Sequence, residues 1–139
     1  MAPEQYLIIT GSTIFLVLGT IHLVYTFFSD KFLARQAETV ERMKADFPVL
    51  TRQTTMWNAW VGFNASHSSG AMFIGLVNII LALEHFEVLL NSLPMQWLDI
   101  STMTFYLFLA KRYWFSIPLR GIALAAFCFL LSFILIWSR

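Results

Sequence analysis

Long uncharged apolar stretches alternate with polar ones along this chain. A hydrocarbon layer about 30 Å thick is crossed by about 20 residues of helix rising about 1.5 Å each. Residues 6–28 contain no Asp, Glu, Lys or Arg, and neither do residues 57–83, although the latter are rich in Ser, Asn and Gly. A third segment, 95–110, follows Pro94 and is shorter and includes Asp99. The fourth, 117–137, has Pro118 in what would be its first helical turn, where a missing N–H costs little. The pattern predicts an all-α fold, a four-helix transmembrane bundle forming a single integral membrane domain over residues 1–139.

Residues 29–56 form the only extended polar stretch, with five basic and four acidic side chains. Within it Leu33, Ala37, Val40, Met43 and Phe47 recur at intervals of three and four. That spacing predicts an amphipathic helix on the membrane surface, capped by Ser29 or Asp30 and stopping near Pro48.

Orientation follows from Lys and Arg, which collect in short cytoplasmic loops. Lys31, Arg35, Arg42, Lys44 and Arg52 lie in the first loop, and Lys111, Arg112 and nearby Arg120 around the third. With four spans, eight of the nine basic residues share one face, and both termini are non-cytoplasmic. Clean helical spans and this charge bias make a bacterial inner membrane the expected location. Tyr113, Trp114 and Trp57 stand at the basic boundaries, as aromatic belts do.

Composition agrees with lipid as the main solvent. The chain is 58% hydrophobic and 12% charged, against about 25% charged in a soluble domain, and its mean hydropathy is +0.69. A net charge of +1 offers no surface for nucleic acid. Cys128 is the only cysteine, which rules out an intrachain disulfide and suits a small buried hydrophobe. Met1 to Gln5 lack a basic signal-peptide start, so the first apolar run reads as a retained span.

Candidate chemistry lies inside the spans. At about 100° per residue, Trp60, Asn64, His67, Ala71 and Asn78 fall close to one line of the second span, with Trp57, Ser68 and Gly75 beside it. On the opposite side Gly62, Ala65, Ser66 and Ser69 form a small-residue stripe that would let another helix approach. The first span puts Gly11, Phe15, Leu18, Gly19, His22 and Thr26 on one face. Helical rise sets His22 about 9 Å deep from the basic side, Asn64 about 10 Å and His67 about 15 Å, so His22 and Asn64 are expected to meet at one level. Asp99, near the other boundary, is expected to reach water, and so is His85, beside Glu84 and Glu87.

Polar groups in hydrocarbon are costly unless partnered. The set His22, Thr26, Trp60, Asn64, His67 and Ser68 is therefore either a structural network or a ligand site. Three functions could use it. One is an accessory subunit or small hydrophobic-ligand binder, in which aromatics surround a few convergent polar groups and the partners are the bilayer, an amphiphile or another membrane protein. A second is a membrane electron-transfer protein with b-type haem on His22 and His67, made roomy by Gly19 and Gly70. The third, an enzyme or proton-coupled carrier, has histidines in the right titration range but no carboxylate at their level and no H-E-x-x-H, G-x-S-x-G or phosphate loop. The binding reading is preferred, with no residue assigned as catalytic.

Three blocks, His22-Leu-Val-Tyr-Thr26-Phe-Phe, Thr55-Met-Trp57-Asn-Ala-Trp60-Val-Gly-Phe-Asn64-Ala-Ser-His67-Ser-Ser-Gly70 and Leu109-Ala-Lys-Arg-Tyr-Trp-Phe-Ser-Ile-Pro118, resemble an uncharacterised family of small bacterial four-span membrane proteins. The middle block, W-x-x-W-x-G-F-N-x-S-H, is the most specific. The resemblance implies the four-span architecture and no activity. Cysteines introduced one at a time into the first and second loops are expected to label from opposite sides of the membrane. Labelling of both from one side would refute this topology.

Overall fold

The computed structural model describes residues 1–139 and is all-helical. Its six helices are α1 (Pro3–Phe28), α2 (Ala37–Ala45), α3 (Met56–Glu84), α4 (Phe86–Asn91), α5 (Leu93–Tyr113) and α6 (Ser116–Trp137). Three of them, α1, α3 and α6, are long and apolar enough to cross a membrane. The expected third span falls within α5, whose polar residues keep its hydropathy below theirs. The residues divide into two compact units, one of 1–18 with 71–139 and one of 19–70.

In the first unit an apolar core gathers Ile8 and Phe15 of α1, Ala71 and Ala82 of α3, Met103 and Ala110 of α5, and Ile122, Phe129 and Phe133 of α6. Close approach of α1 and α3 depends on Gly75. A Cβ added there would lie 2.7 Å from the Ser12 carbonyl oxygen and 2.9 Å from the Leu16 nitrogen, both backbone atoms. Small residues at such crossings let helices gain dispersion contacts that lipid cannot supply through a hydrophobic effect.

Polar side chains fasten the same unit. Gln5 Nε2 donates to the Ala82 carbonyl at 2.5 Å, Ser132 Oγ donates to the Glu4 carbonyl at 2.9 Å, and Arg139 pairs with the buried Glu4 carboxylate. The short helix α4 was not anticipated, because six residues are too few to show a period. Gln96 holds its C-terminal end: Nε2 donates to the Leu89 and Leu90 carbonyls at 2.7 and 3.0 Å, and Oε1 accepts from Trp137 Nε1 at 2.6 Å. These carbonyls lie in a helix's last turn, where no intrahelical N–H remains for them. Ser92 begins α5 by accepting from the Met95 N–H, with Pro94 in the first turn.

Asp99 departs from expectation. It is 3% exposed instead of reaching water, and it accepts a hydrogen bond from Asn78 Nδ2 at 3.0 Å. Helix α5 starts two residues before the expected boundary, at Leu93, and this deepens Asp99 within the helix. His85 is exposed, as expected, and Cys128 is buried and free.

In the second unit a helix does form in the polar stretch, shorter than its periodicity suggested. It starts at Ala37 after Gln36, with no side-chain cap, and ends at Ala45. Ser29 does not cap it: its hydroxyl donates to the Tyr25 carbonyl and accepts from the Lys31 N–H, closing α1. Leu33 and Phe47 fall outside the helix, and Val40 is its one buried residue. Glu38 in the first turn and Arg42 and Lys44 in the last complement the helix dipole. The small-residue stripe also differs: Gly62, Ser66 and Ser69 are exposed, and a Cβ at Gly62 would meet nothing within 4 Å.

Gly75→Ala is expected to destabilise the protein by about 1–3 kcal/mol through overpacking against backbone, read as a lowered midpoint of denaturant unfolding in detergent. Gly62→Ala should leave the midpoint unchanged or slightly raised.

Candidate functional site

The second unit assembles an imidazole and aromatic cluster from the C-terminal part of α1, the turn after it and the first turns of α3. His22 projects from α1 and its Nε2 lies 2.9 Å from Asn64 Oδ1. The level match expected from helical rise is therefore found. Asn64 is oriented by its own helix, because Nδ2 donates to the Trp60 carbonyl at 2.8 Å. That leaves Oδ1, which can only accept, facing His22, so Nε2 carries the ring hydrogen.

His67 stands one turn further along α3. Its ring centroid is 5.5 Å from that of His22, with the planes at 73°, an edge-to-face arrangement. Phe32 covers His22 from the other side at 4.4 Å, then meets Tyr25 at 6.2 Å and Trp60 at 6.4 Å. Trp60 stacks on Trp57 at 5.5 Å and 20°, which follows from their i, i+3 spacing on one helix. Lys44 of α2 places Nζ 5.9 Å from the Trp57 ring centre, a cation–π contact, while also pairing with Glu41. His22, Phe32, Trp57, Trp60, Asn64 and His67 are all of intermediate exposure. The cluster is a partly open face.

Two of the expected site residues do not join it. Thr26 Oγ1 donates to the His22 carbonyl at 2.8 Å, and Ser68 Oγ, fully buried, donates to the Asn64 carbonyl at 2.7 Å. Both hydroxyls are spent on the preceding turn of their own helix, a common satisfaction of Ser and Thr in apolar helices. Asn78, on the same line of α3 as Asn64, serves the other unit through Asp99. Phe32 was missed by the sequence reading because it lies beyond the end of α1 and shares no helical period. The signal available was an adjacent apolar pair, Phe32-Leu33, within a polar stretch.

As arranged, the residues do not fit a bis-histidine haem. Imidazole–metal bonds of roughly 2 Å would set the two coordinating nitrogens about 4 Å apart across the iron, with the macrocycle between the rings. Here the rings meet edge to face, and the His22 Nε2 hydrogen is committed to Asn64. No group of three or more His, Cys, Asp or Glu side chains converges to hold a metal ion. The chemistry available is hydrogen bonding from two imidazoles and an amide, against aromatic walls that suit a flat or apolar partner.

Comparison with protein-family models, curated proteins and solved structures finds no match to this chain.

A double-mutant cycle on His22→Ala and Asn64→Ala is expected to give a coupling of about 0.6–2 kcal/mol, the range for polar pairs between membrane helices. Thr26→Val should show no coupling to either, since its hydroxyl bonds only its own helix.

Proposed function

We propose that the protein is a non-catalytic, four-span membrane protein. Its His22–Asn64–His67 cluster binds the polar end of a small amphiphile of the quinone class, with Phe32, Trp57 and Trp60 as the flanking wall. The observation that carries this reading is the convergence of three polar side chains on a partly exposed aromatic face. Two structural polar groups, Ser68 and Gln96, are by contrast buried completely. Ligand sites commonly combine aromatic lining with a few polar groups that fix orientation. Lys44, paired with Glu41, sets a hydrogen-bond donor over Trp57 at the edge of the face.

The fourth span in this proposal is α5. Its 21 residues give a length of about 31 Å, enough to cross the hydrocarbon layer. Its outward side carries Trp97, Leu98, Phe105 and Phe108, each 57–59% exposed, while Gln96 and Asp99 are buried with partners. Four crossings put the 29–56 loop and the Lys111-Arg112 turn on the cytoplasmic side of a bacterial inner membrane, with both termini opposite. Val49 and Leu50, at 109% and 93% exposure, then lie beside Arg52 where a loop can dip into the headgroup layer.

Titration of the purified protein in nanodiscs with a short-chain benzoquinone is expected to quench tryptophan fluorescence saturably. Binding should weaken at least tenfold in His22→Ala and in His67→Ala. Quenching that rises linearly, or is the same in both variants, would remove the reading. A visible spectrum of the same sample checks the haem alternative, for which a redox-sensitive Soret band lost in His67→Ala would be required.

A further inference from the structure

The first unit contains a second polar arrangement that the amphiphile reading does not use. Asn78 of α3 and Asp99 of α5 are 2% and 3% exposed and are joined by one hydrogen bond, from Asn78 Nδ2 to Asp99 Oδ1 at 3.0 Å. The other amide hydrogen goes to the Ile74 carbonyl at 3.2 Å. Each group then keeps one buried oxygen without a partner, Asn78 Oδ1 and Asp99 Oδ2. An unmet buried acceptor is destabilising, more so when charged, and an isolated carboxylate in a low-dielectric interior is costlier still even after relaxation.

No Lys, Arg or His forms an ion pair with Asp99. The titratable side chains on the elements packed in this unit are few. Glu4 of α1 is bound to Arg139; Tyr6 of α1, Glu84 of α3, His85, Glu87 of α4 and Tyr113 of α5 are exposed; Tyr106 lies about two turns along α5, Cys128 is on α6, and Lys111, Arg112 and Arg120 stand at the C-terminal end of α5 and the N-terminal end of α6. Counter-charge is therefore not what makes the carboxyl tolerable. An amide and a carboxylic acid have complementary edges, N–H and C=O on one, C=O and O–H on the other. One of those two hydrogen bonds is present, and the two oxygens left over are the acceptor and the protonation site of the second.

We propose that the Asn78–Asp99 pair is a proton-binding site within the membrane-spanning part of the chain, holding one proton on Asp99 Oδ2 and donating it to Asn78 Oδ1. The ligand is a proton taken from water, and no other bond changes. It satisfies both leftover oxygens at once and removes the buried negative charge. The site ties α3 to α5 and shares no residue with the histidine cluster, so it does not depend on the amphiphile reading.

Infrared spectroscopy of the full chain in lipid vesicles at neutral pH tests this directly. The expected result is a carboxylic-acid C=O band, separate from carboxylate and amide bands, that shifts when an isotope label is placed in aspartate side-chain carboxyls. Only Asp30, Asp46 and Asp99 would carry the label, and the first two are exposed to solvent. The band should vanish in Asp99→Asn, move in frequency in Asn78→Leu, and return in the Asn78→Asp/Asp99→Asn exchange. Should Asp99→Asn fail to assemble, the label shift in the wild-type chain still decides. Absence of a label-sensitive acid band in folded wild-type protein, or its persistence in folded Asp99→Asn, would overturn the proposal.

Discussion

Hydrocarbon offers a polar atom no partner, so each polar side chain on these helices must be satisfied by protein or carry the cost of being unmet. The chain meets this constraint in two ways. Thr10, Thr13, Thr26, Ser66, Ser68 and Ser69 donate to carbonyls three or four residues back in their own helices. Gln5, Gln96, Ser132 and the Asn78–Asp99 pair reach between elements of the first unit, and His22–Asn64 does so in the second. Hydroxyls of the first kind are locally closed and leave the helix free to face lipid. Links of the second kind choose which faces meet, because a misregistered helix would leave an amide or carboxyl unmet. Apolar contacts such as Phe15 on Tyr106, at 5.1 Å, then fill the space those links define.

The helical class and its long apolar segments were legible because length and the absence of charge are coarse properties that survive any packing. The meeting of His22 with Asn64 was legible for a similar reason: in adjoining antiparallel helices, rise per residue alone fixes depth. Features depending on two or three residues were not. Helix α4 is too short for a period, Phe32 reaches His22 from outside any helix, and the start of α2 at Ala37 has no side-chain cap to announce it. Asp99 was misplaced because a carboxylate near a span's end is ordinarily carried outward to water. Asn78, about five turns along α3 from Trp60, gave no warning that it would meet a residue on α5. Helical projection put Thr26 and Ser68 beside the histidines, yet projection says nothing about where a hydroxyl hydrogen goes, and both bond their own helix.

The histidine cluster and the buried acid–amide pair differ in the kind of chemistry they permit. Partly exposed rings with an oriented amide can exchange partners at modest cost. A fully enclosed pair has no such freedom and can change only by what passes through the protein interior. In the readings proposed above, the second takes a proton and the first a larger amphiphile.

Trp57 and Trp60 occupy the first turn of α3, and their rings stay parallel at 5.5 Å only while that turn is wound. Two indoles so close and so nearly parallel couple their electronic transitions, so unwinding of this helix end would change the handed absorption of light by the pair. The chain thus carries a built-in optical gauge of order at the entrance to α3, needing no added label.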